Sequence, residues 1–84
     1  MLYNKELAEE ALRTAKLQFI YSSITKIQNI KILELGVRSG ISTSMFLKLC
    51  EENNGNLLSV DIEDCGNLFK NDKWKFIHSR DDNF

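Results

Sequence analysis

The chain has 84 residues, 43% of them hydrophobic and 27% charged, which bounds it to one small domain of ordinary globular composition. Formal net charge is −1, from 11 basic and 12 acidic residues. There is no basic stripe for nucleic acid or an anionic membrane surface, and no apolar run long enough to span a bilayer. The mixed, charged N-terminus does not read as a secretory signal. Two cysteines, Cys50 and Cys65, lack metal-type spacing. They read as reduced thiols of a cytoplasmic protein, with a single disulfide as the alternative.

In chain order, residues 4–22 are predicted as one helix. Leu7, Ala8, Ala11, Leu12, Ala15, Phe19 and Ile20 recur at helical spacing and form one apolar stripe. Asn4 is the expected N-cap, and Glu6, Glu9 and Glu10 place negative charge in the first turns. This is foremost a packing helix, whose N-terminal part could also wall a ligand site. Residues 22–29 suggest a short further turn. Ile30–Leu35 is predicted as the first strand, and its near-continuous apolar run suits a strand covered on both faces of a parallel sheet. Gly36 and Gly40 bracket a tight loop, and Ser42–Asn53 is predicted as a helix burying Met45, Phe46, Leu49 and Cys50. Asn53-Asn54-Gly55 stops that helix, with Gly55 suited to the left-handed position after it. Leu57–Val60 is the second strand, ending at Asp61. Residues 66–71 are a short helix or irregular, and Trp74–His78 is the third strand. Strands alternating with helical segments imply parallel pairing through right-handed crossovers.

Ligands of open parallel sheets bind beyond the carboxyl ends of the strands. Each predicted end carries acid: Glu34, Asp61, and Asp81-Asp82. A carboxylate ending the second strand can accept the hydroxyls of a ribose. The loop lacks the third glycine of a dinucleotide fingerprint and the Gly-Lys-Ser/Thr of a phosphate loop. Glu34 before the turn disfavours a pyrophosphate and favours an ammonium group, while Ser39, Ser42 and Thr43 crowd a helix start suited to an anion. His78 and Trp74 read as structural. Arg38 in the loop is left undecided between solvent and substrate.

Glu34-Leu35-Gly36-Val37-Arg38-Ser39-Gly40-Ile41-Ser42-Thr43 resembles motif I of class I S-adenosylmethionine-dependent methyltransferases, and Val60-Asp61-Ile62 resembles the acidic end of their second strand. The Gly-x-x-x-Gly-x-Ser-Thr form is similar to the small-molecule O-methyltransferase and cephalosporin-hydroxylase-like branch. The resemblance runs from about Ile30 to Asp82 and implies an α/β fold, the N-terminal part of a Rossmann-like methyltransferase, preceded by an N-terminal helix. It implies S-adenosylmethionine as cofactor. Glu34 and the Gly36 backbone would meet the ammonium group. Gly40, Ser42 and Thr43 would meet the carboxylate. Asp61 would hold the ribose and Ile62 would pack on the adenine. Asp81 or Asp82, with Asp81 preferred, would accept from the adenine amino group.

The expected organisation is a single, incomplete cofactor-binding domain over residues 1–84. A helical segment occupies 1–29 and a β-α-β-(α)-β half occupies 30–84. The family's sheet has seven strands and this chain supplies three, so one sheet face and one edge of the first strand are expected to be bare. From this the chain is expected to be half of a longer enzyme, inactive alone, or to self-associate if complete. The acceptor is expected to be a small molecule, with oxygen as the acceptor atom by analogy alone. No catalytic residue and no metal ligand is assigned. The alternatives are another nucleotide-binding Rossmann-like enzyme, such as a nicotinamide-dependent one, and a non-catalytic remnant acting as an interaction module. Binding of S-adenosylhomocysteine discriminates between these readings.

Overall fold

A computed structural model describes residues 3–79; Asp81 and Asp82 lie outside the described residues. The chain runs α1 (Lys5–Leu12), α2 (Ala15–Ile24), β1 (Lys31–Leu35), α3 (Ile41–Asn53), β2 (Asn56–Asp61) and β3 (Trp74–His78). The three strands form one parallel sheet in the order β1-β2-β3. No helix among the described residues is long and apolar enough to cross a membrane.

The N-terminal stretch is two helices where one was expected. Asn4 does cap α1, its Oδ1 accepting from the Leu7 amide at 3.0 Å. The helix then breaks at Arg13-Thr14. Thr14 is extended (φ −87°, ψ 137°), and its hydroxyl donates to the Ala11 carbonyl at 2.8 Å. A threonine hydroxyl that takes a backbone acceptor competes with helix continuation. The break divides the apolar stripe. Ala8 and Ala11 are fully buried, their small side chains letting α1 lie against α3, whereas Phe19 of α2 is 73% exposed.

α2 buries no residue fully. It is held to α3 by a polar cluster in which the Tyr21 hydroxyl donates to Glu52 and Lys48 donates to both. Burial works against the Lys48 charge, but the hydrogen bonds to Glu52 and Tyr21 outweigh it and push its pKa up to about 12. At the last residue of α3, next to Glu52, the Asn53 side chain donates to the Thr25 and Ile27 carbonyls, fixing the linker into β1.

α3 ends at Asn53, as expected, but its left-handed cap falls one residue earlier. Asn54, not Gly55, adopts the left-handed conformation (φ 53°). Gly55 is needed for space: a Cβ there would lie 2.7 Å from both Cγ2 and the carbonyl oxygen of Ile30. Residues 66–71 form turns without a helix.

Alternation along the strands sends one set of side chains towards the helices. Ile32, Leu57 and Trp74 form one cross-strand row; Glu34, Ser59 and Phe76 form the next. Leu47, Cys50 and Leu57 are the buried centre, with Ile32, Phe46, Phe69 and Trp74 packed around them. Leu47 was outside the predicted buried face, yet is as buried as Met45, Leu49 and Cys50 because α3 is covered by α1 as well as by the sheet. Cys50 and Cys65 are both buried and free. The opposite sheet face is open among the described residues: Leu33 is 55% and Leu35 68% exposed. β1 is therefore an edge strand apolar on both faces but covered on only one.

Candidate functional site

The loop between β1 and α3 turns through three left-handed residues: Gly36 (φ 92°), Arg38 (φ 53°) and Gly40 (φ 87°). A side chain at Gly36 would meet no atom within 4 Å, so glycine is required there by backbone conformation alone. At Gly40 space matters too, because the Phe69 ring lies 3.0 Å from where a Cβ would stand. Arg38 occupies the left-handed region without being glycine, at a cost of about 1 kcal/mol.

Asp61 offsets that cost. Its Oδ2 accepts from the Val37 amide at 2.6 Å and the Arg38 amide at 3.1 Å. Oδ1 accepts from the Glu63 amide at 2.9 Å. The two consecutive loop amides thus converge on one carboxylate oxygen at the end of the neighbouring strand. Successive N–H groups arranged this way form an anion-binding nest. Hydrogen bonds from the Glu63, Val37 and Arg38 amides, in that order, pull the Asp61 carboxyl down to about 2. A carboxylate offers about four acceptor positions. Three are taken by these amides, and the Ile62 amide adds a weaker pull on the same carboxylate. Ile62, the next residue, is 65% exposed and presents an apolar surface beside the carboxylate.

Glu34 has different company. It is 6% exposed. Its Oε2 accepts from the Ser42 hydroxyl at 2.6 Å, and Oε1 accepts from Thr43 at 2.6 Å and Ser59 at 2.8 Å. The Ser59 oxygen in turn accepts from the Trp74 indole at 2.9 Å. A single buried carboxylate therefore joins β1, the first turn of α3, β2 and β3. The positive end of the α3 dipole stabilises the charge. Glu34, Ser42 and Thr43, all expected at the amino-acid end of a ligand, are brought together, but their side chains bond one another. What stays open at α3 is backbone. Gly40 is its N-cap, without a side-chain bond to the first-turn amides.

Two further groups border the loop. The Cys65 thiol lies 3.9 Å from both Asp61 Oδ2 and the Arg38 carbonyl oxygen. Burial and then the Asp61, Glu63 and Asp64 charges push its pKa up, so it stays a thiol. Phe69 and Leu68, packed on Gly40, also line a hollow of about 540 Å³ with Tyr3, Asn4, Lys5 and Glu6. The start of α1 thus walls a cavity adjoining the loop. His78 bonds the Ile62 carbonyl at 3.0 Å, in keeping with a structural role. Among the described residues, no group of three or more His, Cys, Asp or Glu could hold a metal ion.

Ser59, Trp74, Cys65 and Phe69 were not among the expected site residues. Ser59 carried a usable signal: it is a polar residue inside an apolar strand, and parallel register sets it opposite Glu34. Trp74 reaches the site through the register of β3, and Cys65 and Phe69 join through folding of residues 62–73, where no periodicity marks the path. No family model, curated protein or solved structure compared with the chain matches it.

Proposed function

We propose that this chain binds S-adenosylmethionine and supplies the cofactor half of a methyltransferase acting on a small-molecule acceptor, within a Rossmann-like fold. The observation that carries the reading is the Asp61 carboxylate. It ends β2, is held ionised, and is hydrogen-bonded to the glycine loop that follows β1. This joins an acid suited to ribose to a loop suited to an amino-acid end, at adjacent ends of two parallel strands.

The residues present fit such a ligand. Asp61 would take a ribose hydroxyl, and exposed Ile62 would pack on the base. The open amides of the α3 first turn, above Gly40, would receive the carboxylate. The Gly36 backbone would meet the ammonium group. Glu34 then acts as a positioning residue, holding the Ser42-Thr43 turn in place through its own bonds. Asp81 would accept from the adenine amino group. When bound, the cofactor supplies an activated methyl and its own leaving group, so orientation can carry much of the rate.

Titration calorimetry with S-adenosylhomocysteine tests this. Saturable binding is expected, weakened at least about tenfold by Asp61→Ala and by Asp61→Asn, the loss of one charge-assisted hydrogen bond. Circular dichroism would confirm that both variants fold. No binding by the folded wild-type chain, or undiminished binding by a folded Asp61 variant, overturns the reading. Binding of a reduced nicotinamide dinucleotide instead would assign the loop to the dinucleotide class.

A further inference from the structure

The open face of the sheet is sorted by polarity along the strands. At the strands' C-terminal ends, the row Leu35–Val60–Ile77 is wholly apolar. The next row is Leu33–Leu58–Lys75, and Lys31 begins the row at the other end. A hollow of about 550 Å³ lies on this end, with Leu33 and Leu58 in its floor and Lys31, Lys73 and Lys75 at its sides. Asp72 is the single acid among its lining residues. Lys73 is 3.3 Å from the neutral Asn54 oxygen, and none of the three lysines is ion-paired among the described residues. The face therefore grades from apolar to cationic.

We infer that this face docks an amphipathic helix of a partner, running antiparallel to the strands, with an apolar stripe and acidic side chains in its C-terminal turns. A helix laid in that sense, as α3 is on the other face, puts its apolar stripe over Leu33, Leu35 and Ile77. Its C-terminal end then falls over Lys31 and Lys75. The unpaired carbonyls there are the negative end of the helix dipole, and acidic side chains add to the match. A second copy of the sheet is a poorer occupant. Facing copies would set the lysines against each other, or bury them on the Leu35–Ile77 row. The inference does not depend on what the glycine loop binds.

The test uses the full chain and two labelled synthetic helices of about four turns, each with leucines at helical spacing. One carries Glu in its last two turns and the other carries Lys at the same positions. Fluorescence anisotropy should show the Glu peptide binding about tenfold tighter, as two partly exposed ion pairs allow. The gap should close at high salt. It should reverse in Lys31→Glu/Lys75→Glu, and Leu35→Asp should remove binding of both peptides. Equal affinity for the two peptides, binding of neither, or no effect of Leu35→Asp overturns the inference. So does a dimer in sedimentation velocity that Leu35→Asp dissolves, since a second copy would then own the face.

Discussion

Replacing Glu34 separates a carboxylate that organises the site from one that touches a ligand. In Glu34→Ala, three hydroxyls lose their acceptor at once. Ser42 is only part-buried and can turn to water, but Thr43 and Ser59 are fully buried. Two orphaned hydroxyls at about 1–3 kcal/mol each, less the relief of an expensive buried charge, put the net cost near 3 kcal/mol. Glu34→Gln keeps the shape. Its amide oxygen can serve Thr43 and Ser59 while its amide nitrogen donates to Ser42, so only the charge is lost, at about 1 kcal/mol. For 84 residues, total stability is on the order of 4–13 kcal/mol, so the alanine variant should remain measurable. Urea unfolding followed by far-ultraviolet circular dichroism reads both values. A Glu34→Ala chain within about 0.5 kcal/mol of wild type would refute the network's role, and so would equal losses in the two variants. The ligand arm is independent. If Glu34 only positions α3, Glu34→Gln should change S-adenosylhomocysteine affinity less than about threefold, whereas direct contact with the ammonium would cost at least about tenfold.

Asp61 should impose an acid limit on stability. Its carboxyl falls from 3.8 unfolded to about 2 folded, so its contribution is complete above pH 3.8 and disappears as pH drops towards 2. The stability difference between wild type and Asp61→Asn should shrink through that window in urea titrations at stepped pH. Gly55→Ala should cost more than about 2 kcal/mol, because the new methyl meets backbone oxygen, whereas Gly36→Ala should cost about 1 kcal/mol from conformation alone. Equal losses in thermal melts would refute that distinction. Burial pushes the Cys50 thiol up to about 11 and also raises Cys65. Both should therefore react with an aromatic disulfide reagent far more slowly at pH 8 than after denaturation, and fast labelling of either thiol in the folded chain would contradict the structure.

The strands were readable because their cues are local. Trp74–His78 has the predicted bounds, and β1, β2 and α3 differ from expectation by a residue or two at their ends. Asn4 and Asp61 were readable for the same reason, as a cap before a helix and an acid after a strand. The break at Thr14 was not, because the stripe on either side keeps helical spacing and one hydroxyl decides the outcome. Gly55 looked like a left-handed residue, yet its reason is the approach of Ile30 from a distant segment. Glu34 is the most instructive case. Its type and place suggested a group facing a ligand, but Ser59 and Trp74, which reach it only through sheet register, form part of a closed set of bonds. The exposed Leu33 and Leu35 follow from the count of strands and the direction of their crossovers.

The bond from the indole of Trp74 to Ser59 has a practical meaning. Trp74 is the chain's single tryptophan, so its emission has one source. That source is three hydrogen bonds from the start of α3, by way of Ser59 and Glu34, and its ring also stacks edge-on against Phe69, which leans on Gly40. The protein thus carries a built-in optical probe connected to the glycine loop by two separate routes. A ligand that draws Ser42 or Thr43 away from Glu34, or lifts Phe69 from Gly40, would change the colour or intensity of that fluorescence without any label attached.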